Sequence, residues 1–270
     1  MGLDLPKTVL GRTGLVVTRL GIGGGYCDSA DGYRAALDTG ANYVDTARAY
    51  HDGRDERIIG QAIAGRRDDL VIATKTMQRD ATGARADLEA SLRGLQVDCI
   101  DVWQLHFVNT ASDRERVLAP GGALEAALKA RDEGLIRYIG VTGHDWVEVG
   151  KNVATGHFDT VLCWYNCAMK EPETLVFPEA RRQGTGVVIM QATRVDKLFS
   201  DTGDPAPEDF YRYVLTSDAV GVVLVGLRDV TLFQRVVRAV AERPTLTAEE
   251  KAVLEEYGAR MRAEGRLESD

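Results

Sequence analysis

Four side chains that can hold or move a proton follow one another in the first half of the chain. Asp45 and Tyr50 lie in the run Val-Asp-Thr-Ala-Arg-Ala-Tyr, Lys75 ends Ala-Thr-Lys, and His106 ends Gln-Leu-His. A tyrosine with a pKa of about 10 is a weak acid at neutral pH unless a neighbour stabilises its phenolate. Lys75 as an ammonium would lower that pKa, and Asp45 would keep Lys75 protonated. The pattern predicts a proton relay in which Tyr50 is the donor.

His106 adds a second function to this group. Its ring N–H could bind a carbonyl oxygen and polarise it in the same pocket. Delivery of a proton to an oxygen that gains negative charge is what hydride addition to a carbonyl requires. No side chain supplies a hydride, so we expect a nicotinamide cofactor to be its source. The four residues therefore predict a reductase that acts on a small-molecule carbonyl compound.

Eight short apolar runs alternate with segments of helical periodicity. The runs are Leu20–Gly24, Asn42–Asp45, Leu70–Lys75, Ile100–His106, Tyr138–Thr142, Thr160–Asn166, Val187–Gln191 and Val220–Gly226. Such alternation indicates a parallel sheet covered by helices, and eight units favour an α/β fold of the (β/α)8 or TIM barrel type. In that barrel, residues at the carboxyl ends of strands converge on one active site. An open doubly wound sheet is the alternative, but Gly21–Gly25 lacks the spacing of a dinucleotide-binding turn.

The two ends of the chain carry their own signals. Thr8–Leu10 and Leu15–Thr18 flank a turn-rich segment, which predicts an N-terminal β-hairpin that closes the bottom of the barrel. Thr247–Glu250 has the pattern of a capping box, which predicts a C-terminal helix. We expect residues 266–270 to form a free tail. The length of 270 residues fits one barrel domain over residues 1–270.

Composition and charge exclude several classes of partner. The formal net charge is −8 and no Lys/Arg block occurs, which argues against a nucleic acid or an anionic membrane as a partner. The four cysteines lack paired C-x2-C spacing, so we expect reduced thiols and no metal site. The first residues show no basic segment followed by an apolar stretch, and no apolar run approaches the roughly 18 residues of a membrane span. We therefore expect a cytoplasmic protein.

The same residues resemble the aldo-keto reductase superfamily, and the resemblance covers nearly the whole chain. It rests on Leu10–Leu15, Ala36–Ala47, Asp98–His106, Gly134–Val141, Tyr165-Asn166 and Gly226–Arg228. It implies a TIM barrel and an NADPH-dependent reduction of aldehydes or ketones. It also implies a catalytic tetrad of Asp45, Tyr50, Lys75 and His106 in which Tyr50 is the acid.

The resemblance further implies where the cofactor binds. The expected contacts are Gly24, Asp45, Thr142, Gly143, Asn166, Met190, Gln191, Gly226 and Arg228. Thr142-Gly143 replace the Ser-Asn that many members use to hold the nicotinamide carboxamide, and Leu162 replaces a Gln, which leaves Asn166 as the nearby amide. Met190 and Gln191 occupy the strand end that packs against the nicotinamide ring. Arg228 precedes the last barrel helix, so we expect it to bind the 2′-phosphate and to favour NADPH over NADH.

The substrate and two other interpretations stay open at this point. Aromatic and histidine side chains that could line the barrel mouth are Tyr26, His51, Phe107, His144, Trp146 and Trp164. A second interpretation is a nucleotide-binding sensor protein that turns over slowly. A third is an aldolase that uses Lys75 as a Schiff-base nucleophile. Asp45 argues against the aldolase, because a paired carboxylate keeps the lysine protonated.

Overall fold

A closed barrel of eight parallel strands forms the centre of the computed structural model, which describes residues 3–200, 202 and 205–267. The N-terminal hairpin strands are β1 (Lys7–Val9) and β2 (Val16–Thr18), and the barrel strands are β3 (Leu20–Gly23), β4 (Tyr43–Asp45), β5 (Val71–Thr76), β6 (Ile100–Leu105), β7 (Ile136–Thr142), β8 (Thr160–Trp164), β9 (Gly186–Met190) and β10 (Val222–Gly226). Each strand pairs with the next in the chain, and β10 pairs with β3 to close the barrel. Every predicted apolar run overlaps one strand, with ends that agree within two residues. The predicted (β/α)8 fold is confirmed.

Helices follow the strands and cover the outside of the barrel. They are α1 (Ala30–Leu37), α2 (Arg54–Ala62), α3 (Ala81–Leu95), α4 (Ala111–Leu118), α5 (Ala123–Asp132), α6 (Trp146–Ala154), α7 (Pro172–Leu175), α8 (Phe177–Gln183), α9 (Pro207–Thr216), α10 (Val230–Glu242) and α11 (Ala248–Ala263). Short 3-10 helices occur at Gly11–Thr13, Tyr50–Gly53 and Arg67–Asp69. The barrel strands are buried over almost their whole length because helices cover their outer faces and a second apolar cluster fills the interior.

The hairpin closes the bottom of the barrel. β1 and β2 are antiparallel, and Leu10 between them has no exposed surface because it packs within the interior cluster. A Cβ atom at Gly186 would lie 2.7 Å from the Cγ atom of Leu10, so only glycine allows this close approach. The Tyr138 hydroxyl on β7 donates a hydrogen bond to the Thr13 carbonyl. The predicted hairpin is therefore confirmed as part of the barrel core.

The C-terminal helix α11 packs against loops at the opposite end, the barrel mouth formed by the carboxyl ends of the strands. Its N-terminus has the predicted capping box, with Thr247 and Glu250 bonded reciprocally. The Tyr257 hydroxyl donates to the Leu198 carbonyl at 2.9 Å, and Arg262 donates to the Ala168 carbonyl at 3.1 Å. The predicted free tail is wrong at its start, because Leu267 is only 5% exposed; residues 268–270 lie outside the described part of the chain.

Two further properties concern the described residues as a set. None of their helices combines the length and apolar character needed to cross a membrane. Within the same ranges, no group of three or more His, Cys, Asp or Glu side chains could hold a metal ion. All four cysteines are free thiols, and Cys163 and Cys167 are buried.

Candidate active site

The four predicted catalytic residues come together at the barrel mouth. Asp45 is the last residue of β4, Lys75 is the last but one of β5, and His106 directly follows β6. Tyr50 begins the 3-10 helix in the loop after β4. Asp45, Tyr50 and His106 line one cavity, and Lys75 lies buried beside them with 1% of its surface exposed. Parallel strands bring residues that are distant in sequence to the same edge.

Lys75 lies at the centre of the group. Its ammonium donates to the Asp45 carboxylate and, at 2.6 Å, to the Thr46 carbonyl. The Nζ atom is 5.1 Å from the centre of the Tyr50 ring. Burial lowers the pKa of Lys75, but the charges of Asp45 and Tyr50 raise that pKa more, so its net shift is upward. The lysine therefore stays protonated and carries a fixed positive charge next to Tyr50.

Gln104 completes the shell around Asp45, and the sequence analysis missed it. Its side-chain amide donates to the second carboxylate oxygen of Asp45 at 2.8 Å, and both side chains are buried. Side chains on a strand alternate between its two faces, so Gln104 points to the same side as His106 two residues later. A polar residue two positions before a predicted catalytic residue is the signal that could have identified it.

Tyr50 keeps its proton in this arrangement. The Lys75 charge lowers the pKa of Tyr50, but burial and the nearby Asp45 and Tyr26 raise that pKa more, so the net shift is upward. The expected lowering of the Tyr50 pKa by the Lys75 charge is therefore present, but burial and the neighbouring Asp45 and Tyr26 outweigh it. Lys75 can still stabilise a phenolate as it forms, because its ammonium is fixed beside the ring.

His106 is a neutral imidazole at physiological pH. Burial, followed by the charge of Lys75, lowers its pKa to about 2. The ring stacks on Phe107 with centroids 4.2 Å apart and meets the Tyr50 ring edge-on at 6.2 Å. Its Nδ1 atom is buried without a hydrogen-bond partner among the described residues. A neutral ring cannot act as a charged acid, so it is suited to donating a hydrogen bond to a substrate oxygen.

Thr142 and Gly143 do not face the cavity. The Thr142 hydroxyl accepts a hydrogen bond from the Phe107 backbone N–H at 3.0 Å and holds that residue in a left-handed conformation with φ of 55°. A Cβ atom at Gly143 would lie 2.6 Å from Cγ2 of Val149, which leaves no space for the amide side chain that many family members carry there. These two residues shape the loop after β6 and β7 instead.

Asn166 also has a structural use. It has no exposed surface, and its side-chain NH2 donates to the Gln191 carbonyl at 2.8 Å. Its side-chain oxygen accepts from the Ala168 backbone N–H at 3.0 Å. The amide thus joins the loops after β8 and β9 and does not line the cavity. Of the predicted cofactor contacts, those that do line it are Gly24, Asp45, Met190, Gln191, Gly226 and Arg228.

Arg228 marks the other end of the cavity, next to β10. Its guanidinium lies 4.5 Å from the centre of the Tyr26 ring, and both side chains line the cavity. Arg235, one turn into α10, pairs with Glu208 at 3.1 Å. Asp229 is the N-cap of α10, and its carboxylate accepts a hydrogen bond from the backbone N–H of Thr231 at 2.7 Å. Arg228 is thus an exposed cation positioned at the cavity edge.

The six predicted substrate residues fall into three groups, and the third, Trp146 and Trp164, lines neither this cavity nor the adjoining one. Tyr26, Phe107 and His144 line the cavity, whereas His51 lines an adjoining one and lies 3.0 Å from the Gly25 carbonyl. Trp146 does neither: its indole N–H donates to the Trp164 carbonyl at 2.9 Å, which places it behind the wall. Lining residues that the sequence analysis missed are Gly23, Ala192, Thr193, Val195, Asp196, Tyr211, Leu224 and Leu232.

Known proteins share this sequence pattern. A family model described as the Aldo/keto reductase family matches residues 26–194. Aldo-keto reductase YhdN of Bacillus subtilis is 33% identical over 197 residues, which cover 64% of this chain and 58% of the relative. An uncharacterized oxidoreductase of the same organism, YqkF, is matched over 47% of its length. L-galactose dehydrogenase of Arabidopsis thaliana is 25% identical over 295 residues, which cover 91% of each chain.

Solved structures share the fold over nearly the whole chain. Aldo-keto reductase AKR11C1 from Bacillus halodurans, in its holo form, superimposes with a TM-score of 0.82 at 26% identity and covers 94% of this chain and 96% of its own. An aldo/keto reductase from Klebsiella pneumoniae, solved in complex with NADP and acetate, gives a TM-score of 0.77 at 25% identity with the same coverage. The strand-end tetrad, the barrel with its hairpin, and these matches agree: the chain belongs to the aldo-keto reductase family.

Proposed function

We propose that the protein is an NADPH-dependent oxidoreductase that reduces an aldehyde or ketone, or oxidises the corresponding alcohol. The observation that carries the proposal is the buried Asp45–Lys75 pair beside a protonated Tyr50 and a neutral His106, in one cavity. Membership of the aldo-keto reductase family supports the same chemistry. When bound, the nicotinamide supplies the hydride that adds to the carbonyl carbon.

Each residue of the tetrad has a separate task in this proposal. His106 donates a hydrogen bond to the carbonyl oxygen and orients it. Tyr50 gives its proton to that oxygen as negative charge develops. The Lys75 ammonium stabilises the phenolate that remains, because a positive charge at close range favours the ionised form. Asp45 holds Lys75 in position and keeps it protonated, and Gln104 in turn holds the Asp45 carboxylate.

The cavity fits a nicotinamide cofactor along its length. At one end, Met190 and Gln191 line the wall, and the side-chain oxygen of Gln191 is buried without a partner among the described residues, so it can accept from a carboxamide NH2. Gly24 contributes only backbone to the cavity wall. A side chain does not fit there, because a Cβ atom would lie 2.4 Å from the Asp55 carboxylate. At the other end, Arg228 is assigned to the 2′-phosphate. The Klebsiella pneumoniae relative in complex with NADP supports this choice of cofactor.

We further propose that the whole of residues 1–270 forms one barrel domain that works in the cytoplasm on small molecules. The net charge of −8 supports the absence of a nucleic-acid or anionic-membrane partner, because both repel an acidic protein. Thr142, Gly143 and Asn166 are reassigned from cofactor contacts to residues that fix the loops around the nicotinamide.

The test is isotope transfer from the cofactor. Purified protein is incubated with NADPH that carries two deuterium atoms at nicotinamide C4 and with a panel of aldehydes and ketones. We expect deuterium on the carbinol carbon of the reduced products, one equivalent per NADPH consumed, and weaker turnover with NADH. Saturable NADPH binding without turnover on any carbonyl would instead indicate a sensor. A borohydride-stable adduct of a carbonyl compound on Lys75 would indicate an aldolase and contradict the relay.

A further inference from the structure

The first turn of α2 carries two neighbouring acidic side chains that are both buried. Asp55 has 1% of its surface exposed and Glu56 has none. Carboxylates are rarely buried unless they are paired, because their removal from water is costly. Glu56 has such a partner, since Arg48 donates to it at 3.1 Å, and the Thr74 hydroxyl also donates to it at 2.7 Å. Among the described residues, no basic group lies within 4.0 Å of the Asp55 carboxylate.

Two hydroxyl groups bind Asp55 instead of a cation. The Tyr33 hydroxyl on α1 donates to one carboxylate oxygen at 2.6 Å, and the Thr46 hydroxyl donates to the other at 2.6 Å. Tyr33 and Thr46 are buried as well. Burial, followed by the charge of Asp55, raises the pKa of Tyr33, so that hydroxyl keeps its proton and remains a donor. Each carboxylate oxygen therefore has one donor, and together the two hydrogen bonds fix the plane of the carboxylate.

Thr46 connects Asp55 to the catalytic pair. It directly follows Asp45, and successive side chains along a strand point to opposite faces, so Thr46 turns outward to α2. Its backbone carbonyl accepts from the Lys75 ammonium at 2.6 Å, and its backbone N–H donates to the Ala73 carbonyl at 2.9 Å. One residue thus contacts Asp55 through its side chain and Lys75 through its backbone.

The direction of the Lys75 ammonium matters for the proposed relay. An ammonium has three N–H donors. Asp45 accepts from one of them, and the Thr46 carbonyl accepts from another. These two bonds leave the third donor for Tyr50, whose ring centre lies 5.1 Å from Nζ. The place of the Thr46 carbonyl therefore helps to determine where the positive charge lies relative to the Tyr50 hydroxyl.

We propose that Asp55 is a positioning residue for Lys75 and acts through Thr46. Its carboxylate holds the Thr46 hydroxyl, so the Thr46 carbonyl is fixed where it accepts from the ammonium. Without this hydrogen bond, Lys75 keeps its charge and its bond to Asp45 but loses its fixed direction. The inference rests on the proposed reductase function, because it gives Asp55 a part in the transfer of the proton from Tyr50.

The surroundings of Asp55 favour this inference over a side chain that only fills space. Asp55 lies close to the wall of the catalytic cavity, because a Cβ atom at Gly24 would lie 2.4 Å from its carboxylate. Burial raises the pKa of Asp45, and the charge of Asp55 adds to that rise. Two buried carboxylates that repel each other are unfavourable for folding. Such local costs persist mainly where function requires them.

The first test removes the hydroxyl that connects Asp55 to Lys75. Thr46→Val keeps the shape of the side chain and the backbone carbonyl, and Thr46→Ser keeps the hydroxyl. We expect Thr46→Val to lower kcat for carbonyl reduction about tenfold, the effect of one net hydrogen bond, and to leave the Kd for NADPH unchanged. Thr46→Ser should retain most of the wild-type kcat. Steady-state kinetics and fluorescence titration measure the two quantities.

A second variant changes Asp55 itself. Asp55→Asn keeps the size of the side chain, but an amide has one oxygen and can accept from only one of the two hydroxyls. We expect the same fall in kcat at an unchanged Kd for NADPH. Because no cavity is opened, this variant provides the comparison if Thr46→Val does not fold. Wild-type kcat in both variants would overturn the proposal.

A matched control separates a positioning residue from the loss of any buried threonine hydroxyl. Thr18, at the bottom of the barrel, has no exposed surface and donates to the Leu20 carbonyl at 2.7 Å. Thr18→Val should lower the free energy of unfolding in urea denaturation, as Thr46→Val does, and should leave kcat unchanged. An equal fall of kcat in Thr18→Val and Thr46→Val would overturn the proposal, because general loosening of the barrel would then explain both.

An NMR measurement on the protein without cofactor keeps this inference separate from the reductase function. The Lys75 ammonium is 1% exposed, so its N–H signal should exchange slowly with water; its absence in Lys75→Met identifies it. We expect exchange about tenfold faster in Thr46→Val and Asp55→Asn, and at the wild-type rate in Thr18→Val. That result would support the positioning of Lys75 by Asp55 even if no carbonyl compound were reduced. Wild-type exchange in both variants, with carbonyl reduction intact in the wild type, would overturn the positioning alone.

Discussion

The two sides of the barrel mouth are built in opposite ways. On the β4–β6 side, the Asp45–Lys75 pair is buried and enclosed, and Gln104 binds the remaining carboxylate oxygen. On the β7–β9 side, Arg194 in the loop after β9 is buried with no counter-ion among the residues that the structure describes, and the backbone around it has positive φ values. A paired, preorganised group is suited to the step that every substrate shares. An unpaired buried cation is suited to binding an anionic group of a ligand, which would supply the missing partner.

The substitution with the largest expected effect lies on the β4–β6 side, which we call the catalytic side because it carries the tetrad. Tyr50→Phe removes the proposed proton donor and none of the proposed cofactor contacts, so kcat for carbonyl reduction should fall by about 10²–10⁴ while the Kd for NADPH is unchanged. Steady-state kinetics and fluorescence titration measure the two quantities. Tyr138→Phe is the matched control, because that hydroxyl binds the Thr13 carbonyl at the other end of the barrel. Turnover at the wild-type rate in Tyr50→Phe would exclude Tyr50 as the acid.

Removal of the Lys75 charge should show how much the Asp45–Lys75 pair contributes to stability. Lys75→Met leaves the Asp45 carboxylate buried without its partner, so the free energy of unfolding should fall by about 3–5 kcal/mol. The double variant Lys75→Met/Asp45→Leu removes both charges and should recover most of that loss. Urea denaturation measures both. Because the folded pKa of Lys75 is raised, its contribution is complete below its ordinary value of 10.5 and is lost as pH rises through the folded pKa. Equal stability of the two variants would contradict the pairing.

Acid should destabilise the protein through His106. Its folded pKa of about 2 lies below the ordinary 6.5, so the unfolded chain binds the proton more readily between these values. The contribution of His106 to the free energy of unfolding is therefore complete above pH 6.5. It falls by about 1.4 kcal/mol for each pH unit below that value. Urea denaturation at several pH values below 6.5 should show a shallower dependence for His106→Gln. His157→Gln, at an exposed position, should leave the slope unchanged; an equal change in both variants would be evidence against this origin.

The smallest expected effect concerns the cofactor end. Arg228→Ala should raise the Kd for NADPH about tenfold more than the Kd for NADH, because only NADPH has a 2′-phosphate to pair with the guanidinium. Fluorescence titration with both nucleotides measures the difference. Arg235→Ala is the control, since Arg235 already pairs with Glu208. An equal loss for both nucleotides would reassign Arg228 to packing on Tyr26 or to the pyrophosphate.

Local patterns in the sequence predict the catalytic side well. Apolar runs locate the strands, and the residue types at their ends locate Asp45, Lys75 and His106, because barrel topology brings strand ends together. Gln104 lies inside such a run, and its position two residues before His106 is the signal that places both side chains on the same face of the strand. These features depend on secondary structure and topology, both of which follow from periodicity.

The β7–β9 side is less predictable for a physical reason. Thr142 and Asn166 were predicted to contact the cofactor, but neither lines the cavity. Their hydrogen bonds go to the backbone of neighbouring loops, which no motif reveals. Arg194 was missed because its burial depends on left-handed residues that are not glycine. Sequence patterns mark the turns that glycine favours, and they do not mark turns that tertiary contacts impose.

The contacts of α11 have a consequence for the order of assembly during synthesis. Tyr257 and Arg262 hold the Leu198 and Ala168 carbonyls, which belong to the loops after β9 and β8. Of the described helices, α11 leaves the ribosome last. The tetrad side of the mouth can thus be complete in a nascent chain while the opposite wall still lacks its support. Synthesis of α11 is therefore the step at which the wall formed by the loops after β8 and β9 gains its support.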